Sequence, residues 1–90
     1  MDEFIERRRS DLAGRTAAIL RELADNLDLE KIGRELHRII GTCGSYGLVE
    51  GSQGAADLLA RVRNDQVDGL SGELRALADV FDLSASGEAK

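Results

Sequence analysis

Between Leu29 and Tyr46 the apolar residues Leu29, Ile32, Leu36, Ile39, Cys43 and Tyr46 recur at alternating steps of three and four. That spacing keeps side chains on one stripe of an α-helix, whereas a strand would need a period of two. The segment is therefore an amphipathic helix with one face to bury. Asp28 stands before it as an N-cap, Glu30 sits favourably in its first turn, and Gly47 is a natural C-terminal stop.

Three further segments offer it partners. The first runs from about Asp2 to Ala24, with Ile5, Leu12, Thr16, Ile19 and Leu23 on one stripe, and Asp25-Asn26 ends it. The third covers about Leu48 to Arg63 and presents Leu48, Ala55, Leu59 and Val62, while Gly51 and Gly54 weaken its beginning. After a break at Asn64 to Asp68, the fourth spans about Gly69 to Asp82 with Leu70, Leu74, Leu77 and Phe81 as its seam. Ser84 to Lys90 is small and polar, a tail expected to fray. No proline interrupts any segment, and Leu, Ala, Glu and Arg, all strong helix formers, are abundant. Phe4, Tyr46 and Phe81, the three aromatic residues, are too few for a β-sandwich core or a base-stacking platform. Loops this short make neighbouring helices antiparallel. The expected fold is all-α, an up-down antiparallel four-helix bundle forming a single domain over residues 1–90.

A net charge of −5 opposes nucleic acid as a general partner, because phosphate backbones demand a basic footprint. The run Arg7-Arg8-Arg9 is flanked by Asp2, Glu3, Glu6 and Asp11 and reads as a solvated helix face. The lone cysteine forms no internal disulfide, no apolar run approaches the roughly 20 residues of a membrane span, and the first residues are acidic, unlike a signal peptide. These features lead us to expect a cytoplasmic protein with neither nucleic acid nor membrane as partner.

His37 is the only histidine. On a helical wheel it lies about 130° from the centre of the apolar stripe, so its ring should face solvent. The positions three, four and seven residues away are Gly33, Arg34, Ile40, Gly41 and Gly44, with Glu30 on the same face two turns off. Each glycine inside a helix costs about 1 kcal/mol relative to alanine, against a total stability of about 5–15 kcal/mol for a domain. Such a cluster around an outward histidine suggests a bare surface over which another protein's active site closes, with Ile40, on the exposed flank, as a contact residue.

Imidazole titrates near neutrality, so its free base is plentiful at pH 7 and is a competent nucleophile toward phosphorus. A general base would want an orienting carboxylate, yet Gly33, Arg34, Ile40 and Gly41 are not acidic; a hydrolase dyad would need a carboxylate from another helix. Cys43 lies about 120° around, inside the apolar stripe, as expected of a buried structural thiol. With no second histidine, no metal site is expected. No phosphate-binding glycine loop occurs. The pattern points to a carrier with a nucleophile, not to an enzyme, and to no cofactor of its own.

The string His37-Arg38-Ile39-Ile40-Gly41-Thr42-Cys43-Gly44-Ser45-Tyr46-Gly47-Leu48 resembles the signature of histidine phosphotransfer (HPt) domains. The resemblance implies a monomeric four-helix bundle that exchanges a phosphoryl group with the aspartate of a response-regulator receiver domain. A hybrid sensor histidine kinase is a second candidate partner. The receiver would supply the acidic pocket and the magnesium. Carried across, His37 is the phosphoacceptor through its outer ring nitrogen, Gly41 is the small residue admitting the partner, and Ile39, Cys43 and Leu48 are core. The partner face comprises Gly33, Arg34, Arg38, Ile40, Gly41 and Gly44. Many members carry lysine where this chain has Ile40, which leaves Arg34 or Arg38 to offset phosphoryl charge. Arg34, one turn back and about 60° around, is the better placed of the two. The competing reading is a non-phosphorylated helical adaptor or inhibitor that binds a receiver or kinase; a small DNA-binding domain is opposed by the acidic balance.

Overall fold

A computed structural model describes the backbone of residues 2–86 and the side chains of residues 7–85. It contains four helices in chain order: α1 (Asp2–Asp25), α2 (Leu29–Ser45), α3 (Val49–Arg63) and α4 (Leu70–Ser86).

The helix ends follow from local chemistry. Asp28 caps α2, its carboxylate accepting from the Lys31 amide at 3.3 Å. At the other end Gly47 takes φ +78°, which glycine tolerates because it has no Cβ. The Leu48 amide then donates to the Cys43 carbonyl at 3.0 Å and the Gly47 amide to the Gly44 carbonyl at 3.2 Å, satisfying acceptors that the last turn leaves free. The end of α3 repeats this geometry. There the Gln66 amide donates to the Arg61 carbonyl at 2.8 Å and the Asp65 amide to the Val62 carbonyl at 3.2 Å.

Asp65, not glycine, occupies the left-handed position of that second turn, at φ 58°. Its Cβ crowds the following carbonyl oxygen, a strain of about 1 kcal/mol that glycine relieves, less the larger entropy glycine loses on folding. Asp65→Gly should therefore raise stability by about 0.5 kcal/mol. A higher urea midpoint at unchanged slope is the expected reading; an equal or lower midpoint would contradict it.

α1 lies along α4 and α2 along α3, and contacts between α3 and α4 and between α1 and α2 close the ring. The α1–α4 pair is antiparallel. Ser10 Oγ donates to the Ala85 carbonyl at 2.6 Å near one end, and Ser71 Oγ donates to the Ala24 carbonyl at 3.0 Å near the other. Arg21 bridges Asp79 and Asp82 at 2.8 and 2.6 Å, and Arg75 pairs with Asp25. These pairs are exposed, so they help set register while adding little stability. Arg9 Nε donates to the Tyr46 carbonyl at 2.9 Å and ties α1 to the α2–α3 corner.

The core seam is Leu20, Ile32, Leu36, Cys43, Leu70, Leu74 and Phe81, all fully buried. Ile39, Leu48, Ala55, Leu58, Leu59 and Leu77 extend it. Four features depart from the sequence-based expectation. Leu12 and Ile19 sit half-buried on the flank of α1, whose inner face is Ala13, Thr16, Ala17, Leu20, Leu23 and Ala24. Small alanines admit the close α1–α4 approach, and they carry too little hydrophobic contrast to mark a stripe. Leu29 is 39 % exposed instead of joining the seam, because it stands at the first helical position of α2, at the end of the bundle. α4 continues through Ser86, four residues past Asp82, since Ser10 and the packed Ala85 hold its last turn against α1. Gly51 and Gly54 are packing seats: a Cβ on Gly51 would lie 2.3 Å from Phe81 Cζ, and one on Gly54 2.6 Å from Leu77 Cδ1. The side chains of Phe4 and Ile5, and residues 87–90 of the expected tail, lie outside what is described.

Candidate functional site

α2 buries Ile32, Leu36, Ile39 and Cys43. The opposite side is left to solvent, and His37 stands there, exposed, with no hydrogen-bond or ion-pair partner among the described residues. An unpartnered imidazole has no carboxylate to orient it as a general base, but its ring lone pair is free to reach an incoming electrophile.

The glycines around it have no packing reason to be glycine. A Cβ built on Gly33 or on Gly41, one turn to either side of His37, meets nothing within 4 Å. At Gly44 it would meet Ser52 Oγ at 3.5 Å, an ordinary contact. Alanine would fit at all three positions and would favour the helix by about 1 kcal/mol each. The bundle does not require these glycines, in contrast to Gly51 and Gly54.

Two hydroxyls support the weakened turn. Ser45 Oγ donates to the Gly41 carbonyl at 3.1 Å, and Ser52 Oγ reaches across from α3 to donate to the Ile40 carbonyl at 3.2 Å. Ser52 had no mark in the sequence, since only the α2–α3 pairing brings it beside Gly44. Ile40 is half-buried and packs against the core, not exposed on the flank as its wheel position suggested. It lies on the side of α2 that α3 covers, and that packing draws its side chain inward.

The cations near His37 differ in their engagement. Arg34 is exposed and makes no ion pair among the described residues. Arg38, also exposed, has Nη1 3.9 Å from a Glu35 carboxylate oxygen. Cys43 lies inside the core with its Sγ 3.8 Å from Thr16 Oγ1, a hydrogen bond in which either group is the donor. Burial pushes its thiol pKa upward, against a smaller lowering from the Thr16 hydroxyl, so it is a poor nucleophile. Among the described residues no three His, Cys, Asp or Glu side chains converge as metal ligands, and no helix is long and apolar enough to cross a membrane.

No curated protein and no solved structure gives a significant match to this sequence. Protein-family models do: the Hpt domain matches residues 2–86, a span that takes in all four helices and the exposed histidine. With that match and the four-helix architecture, the chain belongs to the Hpt domain family, phosphocarriers of two-component systems that interact with response-regulator receiver domains.

Proposed function

We propose that His37 is the phosphoacceptor of this carrier and that it exchanges its phosphoryl group with the aspartate of a receiver domain. The observation that carries the reading is an exposed, unpartnered imidazole set between two glycines whose Cβ positions are empty. The outer ring nitrogen, Nε2, offers its lone pair to the phosphorus of the receiver's aspartyl phosphate while Nδ1 keeps its proton. An N–P bond forms as the acyl phosphate's P–O bond breaks, and the aspartate leaves as a carboxylate. The reverse step returns the group. Magnesium and the acidic pocket belong to the receiver in this scheme, and the carrier presents nucleophile and docking face. That face comprises Gly33, Arg34, Arg38, Gly41 and Gly44, with Ile40 contributing only its outer edge.

Incubation with a receiver charged by a small-molecule phosphodonor, in the presence of magnesium, tests the reading. The wild-type chain should acquire an acid-labile, alkali-stable label, and His37→Gln should acquire none. Equal label on both proteins would refute the assignment, and a chain that binds the receiver without ever taking label would be an adaptor or inhibitor.

A further inference from the structure

We infer that Arg34 is the residue that holds the phosphoryl group once it is on His37, an inference that rests on His37 being the phosphoacceptor. Transfer places up to two negative charges on an exposed ring, where charge-assisted bonds from a guanidinium are the strongest stabilisation a side chain offers. Residues three or four apart on a helix stand about 5–6 Å apart at Cβ, within reach of a long side chain, whereas adjacent residues do not face one another. Of the positions one turn from His37, only Arg34 carries a positive charge. Ile40 is apolar and packs inward, and Gly33 and Gly41 have no side chain to offer.

The state of the two arginines points the same way. Arg34 has no ion-pair partner among the described residues to give up. Arg38 is adjacent in sequence to His37 and already has Glu35 within 3.9 Å. The charge of α2 leans the same way only slightly: it carries three cations, Lys31, Arg34 and Arg38, against two carboxylates, Glu30 and Glu35, in a chain of net charge −5. Lys31 lies six residues before His37, on a different side of the helix. A planar guanidinium has two parallel N–H donors to offer phosphoryl oxygens, and the empty Gly33 and Gly41 positions leave them room to align. Arg34 acts on the phosphorylated state and takes no part in bond making; it is a positioning residue.

The test uses the whole chain in four forms: wild type, Arg34→Ala, Arg34→Lys and Arg38→Ala. Each is equilibrated with a charged receiver and magnesium, and the division of label between receiver and carrier is measured at low and high salt. Arg34→Ala should shift that division toward the receiver by about 3- to 5-fold, the scale of an exposed charge pair. Arg34→Lys should restore most of the loss, Arg38→Ala should shift the division by clearly less than Arg34→Ala does, and the effect should shrink at high salt. Circular dichroism should not distinguish the four. Wild-type behaviour of Arg34→Ala, or an equal loss in Arg38→Ala, would overturn the assignment of Arg34 while leaving His37 as acceptor. A wild type that takes no label would overturn both.

Discussion

Gly41→Arg should lower phosphoryl transfer about 100-fold while leaving the bundle at least as stable as the wild type. The two halves of that expectation come from one observation. Nothing lies within 4 Å of a Cβ at Gly41, so the folded chain has room for a side chain there, and the exposed helix gains about 0.8 kcal/mol when glycine is replaced by a good helix former. That same empty space is what a receiver must fill to bring its aspartyl phosphate to His37. A long side chain would hold the partner off by several ångströms, and displacement of about 1 Å from a reactive geometry already lowers rates about 100-fold. Transfer rates from a charged receiver, with urea denaturation of the same preparations, check both halves. Transfer at the wild-type rate would remove Gly41 from the docking face; a lost fold would show that the glycine serves packing.

Gly51→Ala should act in the opposite sense, lowering stability by up to about 2 kcal/mol. The added methyl carbon would lie 2.3 Å from Phe81 Cζ and 2.5 Å from Phe81 Cε1, well inside contact distance. Phe81 is fully buried, so its ring has no solvent to retreat into. Overpacking of this kind costs about 1–3 kcal/mol, of which the better helix propensity of alanine returns about 1 kcal/mol. For a domain whose total stability is on the order of 5 kcal/mol this is a large fraction. In a Phe81→Leu background the added methyl should cost measurably less, because the smaller side chain vacates the clash. Chemical denaturation of the four-member cycle measures this coupling. Additive changes would mean that α3 does not close on α4 through this glycine.

These two glycines also mark how far the sequence could be read. Both stand in helices, and nothing local separates them. Gly41 has open space around it because no helix covers that side of α2, and Gly51 is filled because α4 delivers Phe81 to it. Only the tertiary pairing tells the two apart, although the outward position of His37 had already singled out its own glycine neighbours. The α2 stripe, the Asp28 cap and the Gly47 stop were legible because each depends on residues within a few positions of one another. The inner face of α1 was not, because Ala13 and Ala17 differ too little from solvent-facing alanines to shift a periodicity. Asp65 in the left-handed region and Ser52 beneath the Ile40 carbonyl were equally silent, one being a less favourable choice than glycine for its turn and the other meaningful only across two helices. At the site, the wheel correctly put His37 outside and misjudged Ile40, whose burial is set by α3 and not by α2 alone.

His37 is the only imidazole in the molecule, so its ring nitrogens report without ambiguity on whether it carries the phosphoryl group. The decisive measurement is a nitrogen spectrum of the histidine-labelled chain, taken before and after exchange with a charged receiver and magnesium. The expected result is a shift of Nε2 together with a splitting from directly bonded phosphorus, while Nδ1 keeps its proton and the core resonances stay in place. Phosphate carried by the chain with both ring nitrogens unmoved would contradict the assignment of His37.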